Sequence, residues 1–385
     1  MRDVAILGVG STPFGKVEGQ SVVDLAVAAC REALAESRVP REAIQALYLG
    51  NFVGERLASQ GALAGVVANR LGITGVPATK VEGACASGGI AFRQGFLGVA
   101  LGLYDFVLVA GTEKMTASPT PEVTAALATA GDDETEMRTG LTFPGAFAIV
   151  MREHMARYGT TREQIALVSV KNHRLGAANP KAQFRKPVTL EEVLASRLIA
   201  YPLRLFDCPP ISDGAAAAVL CAADRARSLH AAPVRVLGCG HATGPATLWE
   251  SPDITGFPAT ARAAREAYKM AGASPGDIDV AEVHDCFTMA EIVATEDLGF
   301  FAKGKGGRAV EEGSTSLDGK VAVNPSGGLI AKGHPVGATG CAQIYELVRQ
   351  LRGEAANQVR DVELALAHNL GGSGVVSTVT ILGRL

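Results

Sequence analysis

The chain has 385 residues, 48% of them hydrophobic and 19% charged, a globular composition long enough for two or three domains and a large buried core. Lys plus Arg number 36 against 39 Asp plus Glu, a formal charge of −3, and aromatics make up 5%; with no basic run, this argues against a nucleic-acid partner. No uncharged apolar stretch is long enough for a membrane-spanning helix, and seven cysteines without any CxxC pair indicate neither a disulfide framework nor a zinc ribbon, so a reduced, cytoplasmic setting is expected.

In chain order, Val4–Gly10 reads as a buried strand running into a Gly turn. A helical stretch containing Arg31-Glu32-Ala33 leads through a Pro turn and Ile44 to the short apolar strand LYLGNF. The strand ATKVEG then reaches Gly83-Ala84-Cys85-Ala86-Ser87-Gly88-Gly89, which opens a helical pattern over Ile90 to Leu103, and Asp105 to Ala110 is a further strand. Helices are expected over Ala146 to Tyr158 and Arg162 to Arg174, separated by Gly-Thr-Thr. The polar loop GAANPKAQFRKPVT follows, and Ile211 to Leu220 returns to a strand.

The remainder repeats the beginning. Val234-Arg-Val-Leu-Gly-Cys-Gly240 resembles the first strand, and Arg265-Glu266-Ala267 with Ile278 matches Arg31-Glu32-Ala33 with Ile44 at one constant offset. Strand AEVHDCF matches LYLGNF, Asn324-Pro-Ser-Gly-Gly328 lines up with Cys85-Ala-Ser-Gly-Gly89, and the apolar stretch from Asp361 to Ala367 matches Asp105 to Ala110. Chance motifs would not keep this order. The chain therefore divides into a first half, residues 1–115, an insertion with a return strand, 116–231, and a second half, 232–385. Alternating strands and helices make each half an α/β layer with a mostly parallel sheet. The long insertion is expected to cover a site.

Four stretches carry chemistry. Cys85 at a helix N-terminus would face unsatisfied N–H groups and the positive end of the dipole, which lowers a thiol pKa; a cysteine alone, however, is more often a small core residue. His334 lies between Gly333 and Pro335, which hold it in an extended or turn conformation off any helix surface. His284 and Cys286 fall within three residues at a strand end; they read as a proton-transfer pair, a metal-ligand pair short of partners, or plain packing. The glycines after His368-Asn369-Leu370 could present backbone N–H groups to an oxyanion. A helix-terminal Cys with a constrained His points to nucleophilic acyl transfer. The patterns of dinucleotide and nucleotide-phosphate loops are missing from the sequence.

These residues, Asn324 to Gly340 above all, resemble the thiolase superfamily along essentially the whole chain. The resemblance implies a thiolase fold: two βαβαβαββ halves in five layers, α/β/α/β/α, with an inserted loop domain. Common thiolases carry Asn-Glu-Ala-Phe where this chain has His284-Asp285-Cys286-Phe287, and Cys-x-Gly where it has Asn369-Leu370-Gly371. The HDCF pattern resembles the sterol-carrier-protein-type thiolases and related acetyl-CoA acetyltransferases. On that basis Cys85 would be the acylated nucleophile and His334 its base. Cys286 would be the acid/base at the α-carbon and His284 an oxyanion donor. The N–H groups of Cys85 and Gly371 would form a second oxyanion hole, and Asn324 would organise the loop. The resemblance further implies acyl-CoA and CoA as substrates, no covalently bound cofactor, no metal, a homodimer or tetramer, and in some relatives a small accessory protein with an OB-fold and zinc ribbon. Lys181, Arg185 and Lys186 are candidates for CoA phosphates by charge alone. The alternatives are a retro-aldol lyase of acyl-CoA adducts and a non-catalytic scaffold or lipid carrier.

Overall fold

The computed structural model describes residues 1–230 and 232–385; Ala231, where the sequence reading ends the insertion, lies outside the described residues. Twelve strands occur among them: β1 (Val4–Ser11), β2 (Ala46–Gly50), β3 (Ala78–Val81), β4 (Phe106–Glu113), β5 (Leu198–Ala200), β6 (Leu203–Arg204), β7 (Gly214–Ala222), β8 (Val234–Thr243), β9 (Val280–Glu282), β10 (Ala322–Val323), β11 (Leu364–Gly371) and β12 (Val376–Arg384). Ten form one mixed sheet in the order β10-β9-β11-β12-β8-β1-β7-β4-β2-β3. The order is a palindrome about the β8–β1 seam. In each half the middle three strands are parallel and the last two antiparallel. The seam is short, pairing Val4–Ile6 with Val234–Val236.

Side-chain alternation along the strands builds the layers. Val107 and Val109 face the inner core with Ala216, Ala218 and Leu220, while Leu108 and Ala110 face outward with Ala215, Ala217 and Val219. The inner core also takes strand residues of the second half and the helices Ser87–Ala100 and Thr339–Arg352, through Phe92, Phe96, Cys341 and Leu347. Helices Val22–Ser37 and Leu63–Leu71 cover one outer face, and Pro258–Ala271 and Thr288–Asp297 the other. The result is the expected five layers.

The duplication has a physical cause that can be read at two glycines. On Gly10 a Cβ would fall 2.2 Å from the Ala29 carbonyl oxygen, and on Gly240 it would fall 1.9 Å from that of Ala263. Each strand thus lies directly against its own outer helix. The next residue's N–H would lose its partner there. Glu32 accepts it from Ser11 in the first half, at 3.2 Å, and Glu266 accepts it from His241 in the second, at 3.4 Å. These are the glutamates of the repeated Arg-Glu-Ala.

The sequence alignment slips in one place. By element order, the turn Ala84–Ala86 before helix Ser87–Ala100 corresponds to Val336–Ala338 before helix Thr339–Arg352. The counterpart of Cys85 is therefore Gly337 and not Asn324, because the second half carries an extra segment between β10 and its helix. The first helix also starts at Ser87, ahead of the expected Ile90, since Ser87 Oγ accepts from Gly83 N–H (3.0 Å) and donates to the Ala84 carbonyl (2.6 Å). Tertiary contact overrides the low helix propensity of Gly88 and Gly89.

The insertion holds helices Thr120–Ala128, Phe143–Tyr158, Arg162–Gly176 and Leu190–Ala195 and the hairpin β5–β6. Thr161 starts the third of these with a capping box to Gln164. Phe147, Met151, Ile165 and Val168 pack on Cys286, Phe287, Met289 and Ile292, so the insertion is anchored on the second half. Among the described residues no helix is long and apolar enough to cross a membrane.

The close approach at Gly240 is testable. Gly240→Ala should lower unfolding free energy by about 3 kcal/mol or more, measured by urea denaturation. Gly276→Ala, whose Cβ would meet nothing nearer than Ser274 Oγ at 3.9 Å, should stay close to wild type. Equal stability of the two variants would refute the account.

Candidate active site

The loops at the C-terminal ends of the parallel strands meet where the two central helices begin. Gly88 and Gly89 of one lie against Gly337 and Gly340 of the other; a Cβ on Gly340 would come 2.2 Å from Gly89 N. This contact brings Cys85 from the first half to His284, Cys286 and His334 from the second. Cys85 Sγ and one ring nitrogen from each of His284 and His334 lie within 4.8 Å of one another. The imidazoles meet edge to face with centroids 5.0 Å apart. All four side chains line one cavity of about 190 Å³. Its other walls are mostly insertion: Val123 and Leu127 from one helix, Phe143 and Phe147 from another, and Cys208 and Ile211 beyond. The insertion thus covers the site, as its length suggested.

The nucleophile turn is tight. Ala84 has φ +51°, a left-handed conformation that costs a non-glycine residue roughly 1–2 kcal/mol, and it aims Cys85 away from the helix it heads. The backbone N–H groups of Cys85 and Gly372 favour the thiolate form of Cys85. Gly371, expected as a donor, ends β11 opposite Val376, and Gly372 beside it lies on the cavity wall.

The expectation of a depressed thiol pKa is overturned. Burial, reinforced by the Glu113 carboxylate, pushes Cys85 from the ordinary 9.0 up to about 12. A helix terminus contributes ~0.3–2 kcal/mol, whereas that rise corresponds to about 4 kcal/mol, so desolvation wins and the sulfur rests as a thiol. Cys286 is driven well above its ordinary range by burial first and then by Cys85 and Asp285. Burial depresses both imidazoles, His284 strongly and His334 to about 3. The resting site is uncharged.

Each histidine is held from behind. Thr339 Oγ1 lies 2.8 Å from His334 Nδ1 and 3.2 Å from the Pro335 carbonyl. With the hydroxyl donating to that carbonyl, Nδ1–H donates to the hydroxyl and Nε2 is left as a lone pair. His334 N–H donates to Ser212 Oγ, 3.0 Å. Behind His284 stands Asn369, whose Nδ2 is 3.1 Å from His284 Nδ1 and 3.0 Å from the Cys85 carbonyl. Asp285 does not enter the cavity: Oδ1 accepts from Leu329 N–H (2.7 Å) and Oδ2 from Asn172 Nδ2 (2.8 Å), tying the loop to the next segment. Burial and the neighbouring Glu291 hold its carboxyl well above the usual range.

Asn324 is buried, with φ +56°. Its Oδ1 accepts from Val283 N–H (2.8 Å) and its Nδ2 donates to Glu291 (2.7 Å), so it touches the strand leading to His284 rather than Cys85. Lys181 is committed elsewhere, to Glu32 at 3.0 Å and over the Tyr345 ring at 4.7 Å. Arg185 donates to the Pro180 carbonyl, at 3.4 Å.

Sequence reasoning missed Thr339, Gly372, Asn369's contacts and Glu113. The last is buried and accepts from Asn51 Nδ2 (2.7 Å) and from the N–H groups of Phe52 (2.9 Å), Val53 (3.3 Å) and, across the seam, Gly337 (3.1 Å). Burial pushes its carboxyl up to about 7. A Glu ending the otherwise apolar strand FVLVAGTE was the available signal. The metal-ligand spacing judged absent in sequence was also invisible there, because Cys85, His284 and His334 come from three segments.

A cysteine and two histidines gathered under a helical cover, where two duplicated α/β halves meet, make an arrangement suited to acyl transfer through a thiol. The family described as "Thiolase, N-terminal domain" matches residues 4–224, and "Thiolase C-terminal domain-like" matches 240–384. The chain belongs to the thiolase family and is an acyltransferase. It is 50% identical over 387 residues to acetyl-CoA acetyltransferase of Methanothermobacter thermautotrophicus, covering 100% of both chains. It is 39% identical to sterol carrier protein 2 of Bos taurus, over 99% of this chain and 72% of that one. Among solved structures, a chain of the Ltp2-ChsH2(DUF35) aldolase superposes with TM-score 0.87 at 29% identity, covering 99% of this chain and 98% of that one.

A resting thiol makes a kinetic prediction. Inactivation of the free enzyme by iodoacetamide should rise about tenfold per pH step from ~7 to ~10, because the thiolate fraction grows all the way toward about 12. Loss of the effect in Cys85→Ser assigns it. A plateau below pH ~8.5 would mean a depressed pKa, against this geometry.

Proposed function

We propose that this enzyme makes or cleaves 3-ketoacyl-CoA by Claisen chemistry through an acyl-enzyme on Cys85. The observation that carries the reading is the convergence of Cys85 with His284 and His334 within 4.8 Å on the floor of a cavity whose wall includes Cys286. His334 Nε2 takes the Cys85 proton as sulfur attacks the thioester carbon, and the N–H groups of Cys85 and Gly372 stabilise the oxyanion. Cys286 rests as a thiol and gives its proton to the departing CoA thiolate. The Cys286 thiolate then removes the α-proton of a second acyl-CoA, whose enolate oxygen is held by His284. The enolate carbon attacks the acyl-enzyme, and His334 returns its proton to Cys85. Two acyl-CoA molecules thus give one 3-ketoacyl-CoA and one CoA, and every proton is returned. Asn324 positions the strand that carries His284. A homodimer or tetramer, a cytoplasmic setting and an accessory partner belong to the same reading. The partner is supported by the similarity to the Ltp2-ChsH2(DUF35) aldolase chain.

That similarity also favours a second reading, retro-aldol cleavage of an acyl-CoA adduct. It needs no acyl-enzyme, so the acylation of Cys85 separates the two.

Intact-protein mass spectrometry with acetyl-CoA, followed by acetoacetyl-CoA plus CoA, tests the assignment. Wild type should gain one acetyl group and consume acetoacetyl-CoA, and Cys85→Ser should do neither. Cys286→Ala should still acylate while condensation falls by about 10²–10⁴-fold. No adduct on wild type, or full condensation in Cys286→Ala, would overturn the corresponding role.

A further inference from the structure

Two imidazoles and a thiol within 4.8 Å can be arranged in chemically different ways, depending on which ring nitrogen of each histidine carries its proton. The surroundings of His284 fix this. Gly89 N–H, which can only donate, points at Asn369 Oδ1, 3.1 Å. That orients the amide, so Nδ2 is the end facing both the Cys85 carbonyl at 3.0 Å and His284 Nδ1 at 3.1 Å. An amide NH₂ donates and does not accept, and its two hydrogens meet two acceptors. His284 Nδ1 is therefore a lone pair. In the neutral ring the proton sits on Nε2. The buried Thr339 hydroxyl, when it donates to the Pro335 carbonyl at 3.2 Å, gives His334 the opposite tautomer, Nδ1–H with a bare Nε2.

We propose that Asn369 is the positioning residue that fixes His284 as a hydrogen-bond donor to the cavity, so that the two histidines beside Cys85 present opposite faces, a proton from His284 and a lone pair from His334. One amide thereby locks three elements of the site: the helix head at Gly89, the nucleophile's carbonyl and the oxyanion imidazole. The same lock denies the trio to a soft metal ion. Cys and two His at this separation would make three ligands if both rings offered lone pairs, but His284 offers a proton. The inference rests on the reaction proposed above for the meaning of the donor, but not for its existence.

The tautomers can be measured directly. In ¹⁵N-histidine-labelled wild type at pH 7, with His284 and His334 assigned through His284→Gln and His334→Gln, long-range ¹H–¹⁵N spectra should show His284 protonated at Nε2 and His334 at Nδ1. A His284 protonated at Nδ1, or on both nitrogens, overturns the proposal. Asn369→Asp then tests the consequence. A carboxylate accepts where the amide donated, so it draws the proton to His284 Nδ1 and bares Nε2. Condensation kcat should fall about 10²–10³-fold with KM changed only a few-fold, while Cys85 still forms the acetyl adduct. Inhibition by Zn²⁺ should sharpen at least about tenfold, which a merely structural defect would not produce. A folded Asn369→Asp with wild-type condensation, or with unchanged Zn²⁺ sensitivity, refutes the role. If that variant fails to fold, the wild-type spectra decide. Failure of wild-type Cys85 to acylate would strike the proposed reaction and leave the tautomer assignment standing.

Discussion

Everything at this site depends on two helix N-termini touching. The helices Ser87–Ala100 and Thr339–Arg352 come from different halves of the chain, and they meet at backbone distance only because Gly88 and Gly340 have no side chains. A Cβ on Gly88 would lie 2.8 Å from the Gly337 carbonyl, and one on Gly111 would lie 2.4 Å from it. Glu113 ties the same point by accepting Gly337 N–H at 3.1 Å. The sheet seam is three residue pairs long, so most of the union of the halves is made in this central layer. Fold and site share one contact, and whatever loosens it separates Cys85 from His334.

The site is built without standing charge. Both thiols are raised and both imidazoles depressed, each chiefly by burial. Carboxyl groups are kept one layer back, where backbone N–H groups or amides receive them: Asp285 at Leu329 and Asn172, and Glu113 at Phe52, Val53 and Gly337. Buried carboxylates supported this way cost far less than bare ones. What remains in the cavity is a set of four uncharged groups, two thiols and two imidazoles.

Much of this was legible in the sequence, for identifiable reasons. The halves were readable because close helix–strand approach demands the same glycines and the same glutamate twice, at Gly10 and Glu32 and again at Gly240 and Glu266. Cys85, His284, Cys286 and His334 were readable because each sits in a short, unusual setting at a strand or helix end. The thiol's resting state was not, since a local dipole argument contains no information on how much water the rest of the chain removes. The pairing of Cys85 with Asn324 failed because an added segment follows β10, and motif similarity followed the glycines rather than the topology. Thr339 and Asn369 were invisible as orienting groups because their partners lie across the fold or depend on a ring's direction.

The symmetric scaffold carries an asymmetric division of labour. The first half supplies Cys85 and its turn; the second supplies both histidines, Cys286 and the Gly372 backbone, and it also anchors the cover. The thiol and the groups that face it are therefore encoded in separate stretches of the gene. Drift in the second half can change what surrounds Cys85 while the turn that carries it stays intact. A duplicated fold of this kind can diversify its reactions one copy at a time.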